Sequence, residues 1–344
     1  IFTSLPTAAS IAENSGAGQA IYTAVVANAS GATYFSLEAV GDYASFTIDP
    51  STGVVTLTED PDYESQSSYT FTVVASDESG NLSEQAVTLS ITDVDDTASV
   101  DDLTFTLNEA GTEYSVTNCS RSASGSIIIP DTYNSLPVTV IGESAFRDCP
   151  NLTDIQISNS VSSIGFAAFA GCRSLISLTI PDGVIILSES TFAGCIALQS
   201  VAIPDSVSSI EKEAFYLCSS LSSVTIPSNV DIIGVAAFAG CSSLIDVSIP
   251  NSNAVLGSAV FADCVSLINV ALPSNISILQ EAIFRNCSSL TSILIPQSVN
   301  TIGNRAFADC KNLATLNLPS GLIFIGEQAF KDCSGLNSID VGNS

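Results

Sequence analysis

The rhythm of apolar and polar positions changes once along the chain, near residue 98. Before that point short segments alternate with a period of two, in AIYTAVVA, ASFTIDP, GVVTLT, SYTFTVVASD and QAVTLSITDV, with Gly, Pro, Asp and Ser between them. Side chains of a strand point alternately to its two faces, so the pattern predicts half-buried strands, and several at this spacing predict a β-sandwich over residues 1–98. Beyond it the beat is much longer. Cysteines fall at 149, 172, 195, 218, 241, 264, 287, 310 and 333, every gap being 23 residues. Phenylalanine keeps this beat three positions earlier, from Phe146 to Phe330, and leucine three positions later, from Leu152 to Leu336. The unit reads V-x-x-I-G-x-x-A-F-x-x-C-x-x-L-x-x-V-x-I-P, and a fixed period of this length predicts a stack of coils.

Within a unit, L-x-x-V-x-I predicts a short strand with its apolar positions inward, and the proline after it ends the strand by withholding an N–H. The run Glu213-Ala214-Phe215-Tyr216-Leu217-Cys218 typifies the next piece, whose Ala, Phe and Cys are spaced like the inner face of one or two helical turns. An Ile-Gly such as Ile164-Gly165 adds a second extended piece and a bend. No coil can bury its own apolar face, so the coils must stack. At a strand spacing of about 4.8 Å, nine of them predict a parallel sheet on the order of 40 Å long.

These residues resemble the BspA-like, or Treponema pallidum-type, leucine-rich repeats. The resemblance covers residues 103–344, with LTFTLNEAGTEYSVTNCS as a hairpin turning at Asn108–Gly111 and SGSIIIP after it, together similar to the family's cap over residues 103–140. Residues 141–344 form the repeats, and 99–102 an acidic linker. The resemblance implies a solenoid with a parallel sheet on its concave face, short helical turns and extended segments on the convex side, and use in adhesion or protein recognition. The outward strand positions are then the candidate binding surface: Thr153, Asp154, Gln156, Thr179, Gln199, Ser223, Thr225, Asp246, Asn269 and Thr291. They are small and largely uncharged, with no Trp, Tyr or Arg anchor of the kind that dominates protein interfaces. A flat Ser/Thr lattice also suits ice or a crystalline polysaccharide, although the columns are irregular.

FTIDPSTGVVTLTEDPDYE, YTFTVVASDESGN and LSITDVDD resemble a cadherin repeat along the whole front module. The resemblance implies Ca²⁺ at the junction with the next module. It assigns the early Glu to Glu13, the Asp-x-Glu to Asp62 and Glu64, and the linker acids to Asp93, Asp95 and Asp96. Oxygen donors converging from separate loops suit a hard cation. Two departures stand out: the family's second acidic pair appears as Asp77-Glu78-Ser79, and a repeat cap, not a second cadherin, follows the linker.

Charge sharpens this picture. Acids outnumber bases 35 to 8, for a net charge of −27, and no Lys or Arg precedes Arg121. Such an anion repels nucleic acid and anionic membranes and favours divalent cations. No apolar run reaches the roughly 18–20 residues of a membrane helix, and the start lacks a signal peptide's basic flank. The chain therefore reads as a monomeric segment of a longer extracellular or cell-surface protein. With no histidine, a Cys or Ser triad of the usual kind cannot be assembled and a zinc shell lacks a partner, so no catalytic residue is assigned and no enzyme is expected. The cysteines read as a ladder of buried thiols that Cys119 begins. Cα spacing alone permits bridges between coils, but same-facing side chains disfavour them. Asn-x-Ser/Thr sequons occur at Asn28, Asn81, Asn118, Asn151, Asn275 and Asn286. The function expected is adhesion or recognition of an extracellular protein or glycan, with a calcium-stiffened spacer; the alternative is a purely structural stalk.

Overall fold

In the first unit, residues 1–95, seven strands form two sheets. They are β1 (Ile11–Ala12), β2 (Gln19–Thr23), β3 (Thr33–Leu37), β4 (Phe46–Ile48), β5 (Val54–Leu57), β6 (Ser68–Asp77) and β7 (Leu82–Thr92). One sheet runs β1-β7-β6-β3 and the other β2-β5-β4, antiparallel except for β1 beside β7. The predicted alternation decides what they enclose: Phe71, Val73 and Ala75 of β6 and Val87, Leu89 and Ile91 of β7 point inward onto Tyr22, Phe35, Phe46, Val55 and Leu57. This computed structural model describes residues 1–13, 15–63, 65–92 and 98–340.

The second unit, residues 96–344, starts with a cap. Strands β8 (Leu103–Leu107) and β9 (Tyr114–Cys119) form the expected hairpin, its turn held by hydrogen bonds from Gly111 N–H to the Asn108 carbonyl and from Thr112 N–H to the Asn108 side chain. The stretch 99–102, read as linker from its acids, is docked here: Ser99 caps a 3₁₀ turn at Val100–Asp102, and the Asp102 carbonyl accepts the Ser120 N–H. Then come β10 (Ser124–Ile129), β11 (Thr132–Tyr133), β12 (Leu136–Ile141), β13 (Asn151–Ile157) and β14 (Ser163–Ile164). Phe105 stacks on Tyr133 with centroids 4.1 Å apart, and Tyr114 packs edge-on against both.

From there the coils contribute strands to two ladders, except that no strand forms on the wide side at 291–295. The wide sheet is β10-β13, then β15 (Ser177–Thr179), β17 (Ser200–Ala202), β19 (Ser223–Thr225), β21 (Asp246–Ser248) and β23 (Asn269–Ala271). The narrow ladder pairs β16 (Ile186–Leu187), β18 (Ser209–Ile210), β20 (Ile232–Ile233) and β22 (Val255–Leu256), and further on β24 (Ile278–Leu279), β25 (Thr301–Ile302) and β27 (Phe324–Ile325). β26 (Thr315–Asn317) and β28 (Ser338–Asp340) complete the set as a parallel pair. From β13 onward these pairings keep the 23-residue register, for instance Ser177 with Ser200 and Ser200 with Ser223.

The third side of each coil differs from the helical turn that the Ala-Phe-Cys spacing suggests. It is a run of tight turns with two left-handed residues, such as Ala167 at φ 51° and Gly171 at φ 76°. The left-handed positions recur in every coil, at Glu213 and Leu217 or Ala282 and Asn286. They rotate alternate N–H groups out of the turn. Ala167, Phe169 and Gly171 donate to carbonyls of Glu189, Thr191 and Ala193 in the next coil, while Ala168, Ala170 and Cys172 donate three residues back. A helix would aim its N–H groups along its own axis and leave none directed sideways at the next coil. The stacking demand wins, while Ala, Phe and Cys still face the core as the pattern predicts.

Inside, the phenylalanines from Phe146 to Phe330 stack with centroids 5.2–5.9 Å apart and planes within 25° of parallel. The cysteines are free thiols. From Cys172 to Cys333 each thiol donates to the carbonyl of the preceding coil's Phe at 3.0–3.2 Å.

Candidate binding surfaces

The wide sheet presents the predicted columns as expected from the strand period. Ile155, Leu178, Val201, Val224, Val247 and Val270 point inward, and their neighbours point to solvent. Thr153, Gln156, Thr179, Gln199, Ser223, Thr225, Asp246, Asn269 and Thr291 are exposed, and Asp154 is half-buried. Six coils in register align Asp154, Ser177, Ser200, Ser223, Asp246 and Asn269 into one column. Strands β13 to β23 carry only two charges on this sheet, and both are tied down. Asp154 accepts from Ser126 Oγ at 3.2 Å and Gln156 Nε2 at 3.3 Å, and Asp246 accepts from Asn269 Nδ2. Near β13 the sheet holds a shallow depression of about 280 Å³ lined by Asp154, Gln156, Ser177, Thr179, Ser200 and Ala202.

Two apolar features accompany these columns, the first at outward positions of the same strands and the second outside them. Ile176, Ile245 and Ile268 form an exposed column at one margin of the wide sheet. On the narrow ladder Ile186, Ile232, Val255, Ile278 and Phe324 are exposed as well. The repeat register alone places each set in one column. What obscured the second is that Ser209 and Thr301 interrupt it, so it reads as part of the inward Ile-Gly element.

The solenoid's charges sit mainly on the turn side. Lys212 pairs with Glu189 at 2.7 Å, and Arg285 with Asp263, each bridging neighbouring coils. These side chains are 42–48% exposed, so water screens both pairs and they add little to stability.

In the front module, Glu13 and the Asp62 loop come together. The Glu13 carboxylate is 2% exposed and accepts the Tyr63 N–H at 2.8 Å, while Asp62 accepts from the Ser65 N–H and hydroxyl at 2.9 and 2.8 Å. Asp60 beside them accepts the Gly16 N–H at 2.7 Å. Glu64, Asp93, Asp95 and Asp96 lie outside the described residues. Among the described residues no group of three or more Cys, Asp or Glu side chains is arranged to hold a metal ion. Asp77 does not join Glu13: it lies at the β6–β7 turn, whereas Glu13 bonds to Thr92 at the far end of β7. The side chain of Asn81 and the N–H groups of Ser30, Asn81 and Ser79 hold the Asp77 carboxyl below its usual range, so it organises its own turn. Among the described residues, no helix is long and apolar enough to cross a membrane.

A family model described as BspA type leucine rich repeat region matches residues 139–268 and 254–344, and a cadherin domain model matches residues 7–92. No curated protein matches the sequence. Among solved structures, a leucine rich cell surface protein of Faecalibacterium prausnitzii A2-165 is 25% identical, aligned over 71% of this chain and 94% of its own, with a TM-score of 0.35. A leucine rich repeat protein of T. pallidum is 24% identical over 69% of this chain and 89% of its own, at 0.42. The third cadherin domain of human protocadherin 7 is 24% identical over 28% and 88%, at 0.25.

Proposed function

We infer, from the premise that this chain belongs to the BspA type leucine-rich-repeat family and carries a cadherin-like module in front, that it is an extracellular adhesion or recognition arm contacting its partner through the wide sheet. The observation that carries the reading is the aligned column from Asp154 to Asn269, exposed from Ser177 onward, whose only two charges are carboxylates already hydrogen-bonded on the sheet, in a molecule of charge −27. On the turn side a partner would have to displace hydrated carboxylates. On this sheet it meets short side chains on a rigid backbone, which lose little entropy on contact. The partner class is an extracellular protein or glycan. The test is a screen of the full chain against immobilised matrix proteins and glycans, repeated with Ser223→Arg/Thr225→Arg. The double variant should lose at least tenfold in affinity with an unchanged melting temperature. A screen that returns nothing, or binding that survives the substitution, favours a structural stalk.

For the front module we propose that Glu13 and Asp62 hold a calcium ion, with Glu64, Asp93, Asp95 and Asp96 as further donors. What supports this is a nearly buried carboxylate in a module with no Lys or Arg of its own, since carboxylates gathered from separate loops repel one another unless a cation joins them. Calcium would supply charge neutralisation and cross-link these segments. Chelation with EDTA should lower the melting temperature of the front unit and leave that of the solenoid in place, and Glu13→Gln should abolish the difference. Superimposable melting curves with and without chelator would remove the calcium from the proposal.

A further inference from the structure

The cysteine ladder has one irregular step. Cys119 precedes Cys149 by 30 residues instead of 23 and belongs to the cap, at the end of β9. Eight later thiols are each engaged with a phenylalanine carbonyl one coil back. Cys149 has no such partner, because Ala123 stands 26 residues before it, where each later cysteine finds a Phe. Its thiol reaches only the carbonyls of Cys119 and Ser120, at 3.8 and 3.6 Å, and Cys119 Sγ lies 3.5 Å from the same Ser120 carbonyl. The two thiols thus converge on one acceptor, the Ser120 carbonyl. The backbones are drawn together by a hydrogen bond from Cys119 N–H to the Ala145 carbonyl at 2.7 Å.

We propose that Cys119 and Cys149 are an oxidisable pair that closes to a disulfide fastening the cap to the first coil, while the other eight cysteines remain thiols. The electrostatics give the pair a direction. The neighbouring Cys119 thiol and the Arg121 guanidinium favour the Cys149 thiolate, while the Cys149 sulfur together with burial pushes Cys119 up. Cys149 is therefore the attacking sulfur. With a low-molecular-weight disulfide such as oxidised glutathione as oxidant, the Cys149 thiolate attacks one of its sulfurs and releases one glutathione thiolate, leaving a mixed disulfide. The Cys119 thiolate then attacks Cys149 Sγ and expels the second glutathione. The protein loses two electrons and two protons, and the oxidant leaves as two glutathione thiols. Cys172 cannot replace Cys119 without giving up its 3.0 Å bond to the Phe146 carbonyl.

The test equilibrates the full chain in glutathione buffers of rising oxidised fraction, then denatures it in acid, alkylates it and maps the peptides. The expected result is a single cross-link, Cys119 to Cys149, with the remaining cysteines alkylated. Oxidation should raise the solenoid's melting temperature by roughly 5–10 °C, because the bond closes a loop of some 30 residues in the unfolded chain. Cys119→Ser should abolish link and shift together, whereas Cys264→Ala, far along the ladder, should keep both. Full alkylation of all ten cysteines at the most oxidising poise, or a cross-link at another pair, would overturn the proposal. The wild-type peptide map decides this even where a variant fails to fold.

Discussion

At the residue scale, the cysteine of each coil solves a satisfaction problem. The Phe carbonyl it meets also accepts an N–H from its own coil: Phe192 takes the Cys195 N–H at 3.1 Å and the Cys218 thiol at 3.1 Å. Cysteine suits the place because it packs as a small apolar group yet keeps a weak donor. Cys218→Ala leaves the carbonyl with one donor and opens a small void, and should cost about 1–2 kcal/mol in urea unfolding. Phe215, fully buried between Phe192 and Phe238, is a larger commitment. Phe215→Ala should cost about 3–5 kcal/mol in the same assay, through lost burial and an unfilled cavity. If Cys218→Ala proved the costlier of the two, the thiol and not the ring stack would be the main source of cohesion.

At the scale of the element, the turn replaces helix because of what its N–H groups must reach. A left-handed non-glycine residue costs about 1–2 kcal/mol, and each coil contains at least one. The cost is offset by hydrogen bonds to the neighbouring coil, which exist only in the stacked state. The residue types follow: the second left-handed position is Gly, Asp or Asn in every coil except at Leu217. Ala236, at φ 54°, sits at the first such position. Ala236→Gly should therefore stabilise the solenoid by about 1 kcal/mol, whereas Ala237→Gly, one residue on and fully buried at an ordinary dihedral, should destabilise it by about that much. Urea midpoints moving in opposite directions would verify the dihedral argument; movement in the same direction would refute it.

At the scale of the whole molecule, the buried thiols couple the solenoid's stability to pH. Burial raises Cys264 and Cys310 from the ordinary 9.0 to about 12, and pushes Cys195, Cys218, Cys241 and Cys287 well above it. Above pH 9 the unfolded chain gives up protons that the folded one retains, so it binds fewer protons and stability falls as pH rises. The stabilisation is fully present below pH 9 and is lost from there toward pH 12, by up to about 1.4 kcal/mol per pH unit per thiol. The solenoid should thus unfold steeply in alkali. The front unit, which has no cysteine, should lack the slope that begins at pH 9, its Tyr69, raised by burial, adding one only above pH 10, and Cys218→Ala/Cys241→Ala should flatten that of the solenoid. Denaturant titrations between pH 8 and pH 11 would measure both slopes, and equal slopes in the two units would discard the thiol origin.

The sequence by itself determined the two units, the 23-residue register, the inward Phe, Cys and Leu columns and the outward face of the wide sheet. Each follows from a local period, and a period fixes which side chains share a face whatever the tertiary detail. It also named Glu13 and Asp62, which the fold does bring together through the Tyr63 N–H. Only the tertiary structure decided the turn conformation, the thiol-to-carbonyl bonds and the docking of Ser99–Asp102 onto the cap. These depend on where a backbone N–H or carbonyl finds its partner in the next coil. The one-residue pattern is the same for a helical turn and for a left-handed turn that keeps Ala, Phe and Cys inside. Stacking chooses between them, because only the latter leaves hydrogen bonds for a neighbour.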